Sequence, residues 1–429
     1  MWALIFGGLI WGSILGILYL ASRFAKFRLI QRAVRGKKIP GFLLGIVPVA
    51  AIAFVTGAAL GTINGEIAIL HLVVFWLLCD GISKIAEKRR REKFLRYYAG
   101  GFAIGITFVY LVCGWFLANN VWRKPYTVET EKQVGTLRIV QFADSHVGNT
   151  FSGEGFARWV EDMQAEEPDI VVITGDYVDD DTSKEDMIAA CQALGTLKTT
   201  YGVYYAFGNH DKGYYDQAYR GYSGDDLIAE LEKNNVIVLQ DEIVLLDNRF
   251  YLIGRQDRVE EQLGRSRASM EELTAGLDPN KFSIVMDHQP HDYQAQEASG
   301  VDLVLSGHTH GGQMIPFNRM GEWLGLDDKI YGMEKRGDTS FIVTSGISDW
   351  AIKFKTGCKS EYVVIDVQGA EADYGTVPEG DAAYGAVPEG DAAYGAVPES
   401  EAVPEAEAKA ETAPKAEATS EVETRTGSV

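Results

Sequence analysis

Four apolar runs, separated by polar loops, fill the N-terminal part of the chain and restrict it to very few folds. They are Trp2–Leu20, Phe42–Gly61, Ile67–Leu78 and Gly100–Ala118. With their flanks, each approaches the roughly 20 residues that a helix needs to cross about 30 Å of hydrocarbon. Because lipid offers no hydrogen-bond partners, a chain inside it must satisfy its own backbone groups. We therefore predict four transmembrane helices within residues 1–121.

Two of these runs leave alternatives open. The first resembles a signal peptide in length, but basic residues follow it instead of preceding it, which favours a true span. The third has a short apolar core and contains His71, so the number of spans depends most on this run.

The distribution of Lys and Arg predicts the orientation of the helices. Seven basic residues separate the first two runs, and seven separate the last two, whereas Thr62–Glu66 carries none. Basic loops remain in the cytoplasm. Both termini and the domain after the helices are therefore predicted to be extracytoplasmic, and a span count that differs by one would reverse this.

Charge differs strongly between regions of this 429-residue chain. Residues 1–121 carry 14 Lys/Arg against 4 Asp/Glu, residues 122–368 carry 23 against 42, and residues 369–429 carry 3 against 14. Proteins that bind long nucleic acids usually present a basic surface to the phosphates. The acidic central region therefore argues against a nucleic acid as partner.

Strand and helix patterns alternate from residue 136 to residue 368, which predicts an α/β sandwich with mixed sheets. Strands are predicted at Thr136–Ala143, Asp169–Thr174, Val203–Phe207, Ile243–Leu246, Phe250–Ile253, Ser283–Met286, Asp302–Leu305, Ser340–Val343 and Tyr362–Asp366, and helices at Gly155–Ala165, Lys184–Leu197 and Asp225–Asn234. Residues 122–135 are predicted to be a linker. Residues 369–429 contain a ten-residue repeat with few large apolar side chains, which predicts a disordered acidic tail.

Polar clusters follow five of the predicted strands. They contain Asp144 and His146, Asp176, Asn209 with His210 and Asp211, His288, and His308 with His310. In open α/β sheets, side chains at the carboxyl ends of strands converge on one crevice. Carboxylates, imidazoles and an amide together suit Mn, Fe or Zn better than Ca. One such cluster is weak evidence, but five in this order predict a metal site.

These clusters, which end in the motif GHTHGGQ at residues 307–313, resemble the calcineurin-like metallophosphoesterase family over about residues 136–368. The form of the last motif is similar to the membrane-associated bacterial branch that includes UDP-2,3-diacylglucosamine hydrolase-like enzymes. The resemblance implies the αββα sandwich of that family, two divalent metal ions and hydrolysis of a phosphoric ester.

The resemblance also implies a role for each matching residue. One metal would be held by Asp144, His146, Asp176 and His310, and the other by Asp176, Asn209, His288 and His308. Asp176 and a hydroxide would bridge the two ions, and the hydroxide would attack phosphorus in line. His210 would stabilise the phosphoryl charge or protonate the leaving oxygen, and Asp211 would hold and charge His210 or, alternatively, cap a turn.

Two further features are candidates for contact with the substrate. Arg255 and Arg258 follow a predicted strand, and guanidinium groups suit phosphate and pyrophosphate, although both could be surface charges. Met314–Trp323 is unusually apolar for a loop, and it either covers the edge of the core or enters lipid.

The predicted function is hydrolysis of a phosphodiester or pyrophosphate bond, in a lipid-linked or nucleotide-sugar substrate at the membrane surface. The predicted partners are that substrate and the lipid bilayer. Two alternatives remain at this point: a phosphomonoesterase that acts on small molecules or phosphoproteins, and a non-catalytic membrane receptor or scaffold with the same fold.

Overall fold

The structure of the protein is a computed structural model, which describes residues 2–215 and 217–371, with the backbone alone for residues 2–10. The predicted disordered tail lies outside the described residues from position 372 onward.

The N-terminal region is helical at all four apolar runs. Its helices are α1 (Trp2–Phe24), α2 (Arg28–Ala33), α3 (Lys38–Leu60), α4 (Thr62–Arg90) and α5 (Tyr98–Asn119). Three of them, α3, α4 and α5, are long and apolar enough to cross a membrane. The fourth predicted span falls on α1, whose first residues lack described side chains, so the count of four spans is not confirmed.

The segment predicted as a linker is largely a strand. β1 (Val121–Glu129) pairs in parallel with the last strand of the domain, β12 (Ser360–Gln368), over nine residues. The charged side chains and Pro125 disguised this strand, but proline is tolerated at the edge of a sheet. The prediction of a linker is therefore wrong for these residues, because they form a strand of the sheet and only one residue separates them from α5.

Two six-stranded mixed sheets form the centre of the domain. The first has the order β1-β12-β2-β3-β4-β5, and the second has the order β10-β11-β9-β8-β7-β6. The strands not yet defined are β2 (Thr136–Phe142), β3 (Ile170–Thr174), β4 (Val203–Ala206), β5 (Val236–Leu239), β6 (Glu242–Leu246), β7 (Phe250–Gly254), β8 (Phe282–Met286), β9 (Leu303–Ser306), β10 (Gly332–Arg336) and β11 (Thr339–Val343).

The described part of the catalytic domain also contains helices, several of which cover the outer faces of the sheets. They are α6 (Gly153–Gln164), α7 (Lys184–Leu194), α8 (Gln217–Arg220), α9 (Gly224–Lys233), α10 (Arg258–Gln262), α11 (Met270–Thr274), α12 (Tyr293–Ala298) and α13 (Met320–Leu324).

Three apolar layers hold this arrangement together. The central layer joins the two sheets through side chains such as Val172 and Tyr204 from the first and Leu252 and Ile284 from the second. A second layer lies between the first sheet and helices α6, α7 and α9, and a third lies between the second sheet and helices α11 and α12. Strands buried on both faces read as continuous apolar runs, as in β3. The predicted α/β sandwich with mixed sheets is confirmed.

Candidate metal centre

The carboxyl ends of β2, β3, β4, β8 and β9 meet at one edge of the sandwich. Six of the predicted ligands form two groups there, and within each group the candidate ligand atoms lie within 4.8 Å of one another. The first group is Asp144, His146 and His310, and the second is Asp176, His288 and His308. The structure therefore brings together residues up to 166 positions apart in the sequence.

The two groups adjoin each other at Asp176. Its Oδ2 lies 3.1 Å from Nε2 of His288 and 3.7 Å from Nε2 of His146. In the first group, Nε2 of His310 lies 3.9 Å from Oδ1 of Asp144. Asp176 therefore occupies the position of a residue that could be shared by two ions.

The side chains fit a pair of cations. Among the described residues, Nε2 of His146, Nε2 of His288 and Oδ1 of Asn209 are buried and find no hydrogen-bond partner. Nδ1 of His288 lies 2.8 Å from the carbonyl of Thr174, and Nδ2 of Asn209 donates to the Tyr214 hydroxyl at 2.6 Å. These contacts occupy the far atom of each side chain and leave the near atom as a ligand.

The backbone at the site is strained. Asp144, His146, Asp176, His308 and His310 all have positive φ, from 37° to 72°, a region that non-glycine residues seldom adopt. Such strain concentrates at functional sites, because the surrounding structure must hold it in place.

A glycine makes the close approach of two loops feasible here. A Cβ at Gly208 would lie 2.2 Å from Oδ1 of Asp176, so a larger residue would displace that carboxylate. This explains why a glycine precedes Asn209, and it fixes the distance between the loops after β3 and β4.

Burial and mutual charge set the titration of these groups. Burial opposes the charge on both Asp176 and His288, but their attraction outweighs it, lowering the pKa of Asp176 and raising that of His288. Burial raises the pKa of Asp144 to about 6, and the nearby Asp176 adds to the effect. The two buried carboxylates, Asp144 and Asp176, would also attract a divalent cation.

His210 lies beside the ligands, but its imidazole belongs to neither group. Its backbone N–H donates to Oδ1 of Asp176 at 2.9 Å, and its ring centre lies 5.1 Å from that of His146. The rings of Tyr214 and Trp350 pack against it at 5.0 and 5.1 Å. Burial lowers the pKa of His210, which favours the neutral imidazole.

Asp211 does not hold His210. Its carboxylate accepts four backbone N–H groups, from Asp176, Tyr177, Val178 and Gly208, at 2.6–3.1 Å. Within the described chain, no hydrogen bond joins it to the imidazole of the next residue. The predicted support of His210 is therefore wrong, because the buried carboxylate instead fixes the loops that carry Asp176 and Asn209.

Arg255 is paired with two carboxylates inside the domain. It is 3% exposed, and its guanidinium contacts Asp287 at 3.1 Å and Asp292 at 2.9 Å. Arg255, Arg258 and Arg267 line one cavity of about 1040 Å³. The predicted substrate-binding roles of Arg255 and Arg258 remain predictions.

Two functional contacts were missed from the sequence. Asp179 is buried, and its Oδ2 lies 3.3 Å from Nδ1 of His146. Burial opposes its ionisation, but the imidazole outweighs this and lowers the pKa of Asp179. Tyr214, on the other side, orients Asn209. The only hint of a role for Asp179 in the sequence is that it follows Asp176 by three residues.

Comparison with known proteins places this arrangement in a family. A family model described as calcineurin-like phosphoesterase matches residues 137–312. An uncharacterized metallophosphoesterase of Aquifex aeolicus is 33% identical over 193 residues, which are 44% of this chain and 70% of that protein. The chain belongs to the calcineurin-like metallophosphoesterase family. Its catalytic domain is accordingly that of a phosphoric ester hydrolase, and the family implies divalent metal ions, so the predicted family and enzyme class are confirmed.

Other relatives of this metallophosphoesterase cover different shares of their own length. An uncharacterized metallophosphoesterase of Campylobacter jejuni is 28% identical over 258 residues, 58% of this chain and 65% of that protein. A protein of Bos taurus named transmembrane protein with metallophosphoesterase domain is 28% identical over 251 residues, 55% of this chain and 54% of its own length. The chain thus spans just under two thirds of the first relative and about half of the second.

Proposed function

We propose that the enzyme hydrolyses a phosphodiester or pyrophosphate bond in an amphipathic, lipid-linked or nucleotide-sugar substrate at the extracytoplasmic membrane surface. The observation that carries this proposal is a cavity of about 470 Å³ between the turn joining α3 to α4 and the edge of the catalytic domain. Its walls include Leu60 and Ile63 from the turn, and Asn149, Asp179 and Trp350 from the domain.

The cavity adjoins the metal centre. Asp179 contacts His146, and Trp350 packs on His210, so both residues belong to the cavity wall and to the surroundings of the ligands. A substrate with its phosphorus at the metals would therefore place its remaining group against the turn. Apolar and polar walls side by side suit an amphipathic molecule.

The turn is fixed to the catalytic domain by one buried side chain. Asn64 donates through Nδ2 to the carbonyl of Ala351 at 3.0 Å, and its Oδ1 accepts the backbone N–H of Lys353 at 2.9 Å. This pair of bonds holds the membrane helices and the cavity in one arrangement.

The helix directions support the extracytoplasmic location. The α3–α4 turn and the end of α5 both lie against the domain, whereas α4 extends for about 43 Å from that turn to Arg90. The basic loop after α4 therefore lies at the opposite end of the helices, and basic loops remain in the cytoplasm. The Bos taurus relative, named a transmembrane protein, supports membrane association.

The proposed mechanism assigns the ligands as the resemblance implies. Asp144, His146 and His310 would hold one ion, and Asn209, His288 and His308 would hold the other, with Asp176 lying where it could contribute to either. When bound, two divalent cations lower the pKa of an attacking water and neutralise phosphoryl oxygens. The neutral imidazole of His210 then donates a hydrogen bond to the phosphoryl group or its leaving oxygen.

The proposal is tested with the full-length protein in lipid nanodiscs supplied with Mn²⁺. We expect bis-p-nitrophenyl phosphate to be hydrolysed faster than p-nitrophenyl phosphate. His210→Ala should lose about 10²–10⁴-fold in kcat with its metals retained, and Asp176→Asn should lose turnover and bound metal. Asp162→Asn, at an exposed position, is the control. A preference for the monoester would refute the proposed ester class.

A second measurement tests the membrane substrate. A phosphodiester that carries an acyl chain, embedded in the same nanodiscs, should have a higher kcat/KM than its soluble counterpart. Equal kcat/KM values would refute the membrane substrate inferred from the cavity, and they would not affect the proposed metal chemistry.

A further inference from the structure

The segment after the last ligand motif exposes six large apolar side chains. We name residues 314–326 the apolar segment; its exposed side chains are Ile315, Phe317, Met320, Trp323, Leu324 and Leu326. Phe317 is 66% exposed and Trp323 is 71% exposed. An apolar patch of this kind usually marks an interaction surface. Among the described residues, none shields the rings of Phe317 and Trp323 from solvent.

Three hydrogen bonds attach residues 355–360 of the catalytic domain to one face of helix α5. Oγ of Ser360 donates to the carbonyl of Ala118 at 2.7 Å, and the N–H of Lys355 donates to the carbonyl of Gly114 at 3.0 Å. The Tyr110 hydroxyl donates to Oγ1 of Thr356 at 2.7 Å. Since these positions of α5 are four residues apart, they lie on one face of the helix.

The apolar segment also contacts helix α5, at Tyr110. The carbonyl of Ile315 lies 3.4 Å from the Tyr110 hydroxyl, and the N–H of Ile315 donates to Oγ1 of Thr356 at 3.2 Å. Ile315 is therefore held at the level of Tyr110 on helix α5.

That level lies well below the end of the helix. Tyr110 precedes the last residue of α5, Asn119, by nine positions, which corresponds to about 14 Å along the axis. Helical side chains tilt toward the N-terminus, so the hydroxyl lies no closer to the catalytic domain than its own Cα.

The remaining faces of α5 show what surrounds this level. Phe108, Val109, Val112 and Phe116 are all exposed. Because α5 is long and apolar enough to span a bilayer, these side chains lie in hydrocarbon on either side of Tyr110. A loop fixed to the same turn of the helix shares that environment.

We infer that the apolar segment penetrates the leaflet next to the catalytic domain, with Phe317 and Trp323 among the acyl chains of the bilayer. An interfacial segment of this kind sinks about 5–10 Å into the boundary between headgroups and acyl chains. The ion pair between Arg319 and Glu322, 2.6 Å long, lowers the cost of their charges at this boundary. The inference does not depend on which ester is cleaved.

The test uses spin labels on the full-length protein in phosphatidylcholine vesicles, with the four native cysteines replaced by alanine. Labels are attached at Phe317→Cys and Trp323→Cys, and the collision rates with oxygen and with a water-soluble nickel chelate are compared. Phe108→Cys, on the exposed face of α5, is the hydrocarbon control, and Tyr215→Cys, on the catalytic domain and 69% exposed, is the aqueous control.

We expect the ratio of oxygen to nickel collisions at both test positions to be several-fold higher than at Tyr215→Cys and to approach that at Phe108→Cys. Ratios equal to the aqueous control would overturn the inference. Spectral broadening between two labels would also overturn it, because a second copy of the chain would then cover the segment. Quenching by bromolipids gives a second readout without labels: Trp323→Phe should reduce the quenchable fluorescence.

Discussion

Asp211 either fixes the loops that carry the ligands or supports His210, and its substitution by asparagine distinguishes these two roles. The carboxylate accepts two N–H groups on each oxygen, Asp176 and Gly208 on one and Tyr177 and Val178 on the other. In Asp211→Asn, the amide nitrogen faces two donors that then have no acceptor. A buried hydrogen bond to a charged group contributes about 1.5–3 kcal/mol, so we expect a loss of roughly 3–6 kcal/mol in unfolding free energy.

For a domain of this size, each kcal/mol lowers Tm by about 2–4 °C, so we expect Tm to fall by about 6–24 °C. The expected loss of bound metal follows from the same change, because the loop of Asp176 is no longer fixed. Thermal unfolding and metal content are measured on the purified protein, with Asp162→Asn as the exposed control. A variant that keeps its Tm and both metals but loses kcat would refute this reasoning and restore the predicted support of His210.

Three further predictions concern other contacts. Asp179→Asn should weaken metal binding about 10–100-fold, because the group that orients His146 is lost; isothermal titration with Mn²⁺ measures this, and unchanged affinity would contradict it. Asn64→Ala removes both bonds between the α3–α4 turn and the domain, so turnover of an embedded substrate should fall while that of bis-p-nitrophenyl phosphate is retained; equal losses would count against the cavity. Arg255→Ala removes the guanidinium partner of Asp292 and leaves Asp287 with Arg267 and Gln296, so it should lower stability more than Arg258→Ala, which should leave Tm within about 2 °C; urea unfolding of both distinguishes a buried, paired arginine from a partly exposed one.

The strands that carry the ligands could be predicted because their sequences are locally unambiguous. β3 is buried on both faces and reads as four apolar residues in a row followed by Thr174, and its carboxyl end sets the place of Asp176. The same reasoning located His288 and His308, because each follows a short buried strand. The convergence of these residues then follows from the parallel pairing of the strands.

Other elements could not be predicted because tertiary contacts decide them. β10 is a run with three charged residues, and only its pairing with β11 makes it a strand. The side chain of Asp211 lies next to His210 in the sequence but faces backbone donors 33–35 residues away. Arg255 contacts partners 32 and 37 residues later, and no local sequence pattern predicts these contacts.

The direct passage from α5 into β1 determines how the catalytic centre meets its surroundings. With Asn120 alone between helix and strand, and with Asn64 fastening the domain to the α3–α4 turn, the centre stays at one height above the bilayer. A membrane-embedded substrate, as proposed above, would then reach it by lateral diffusion, in two dimensions. The turnover rate should accordingly follow the mole fraction of substrate in the membrane, and it should fall when inert lipid dilutes that substrate at constant bulk concentration.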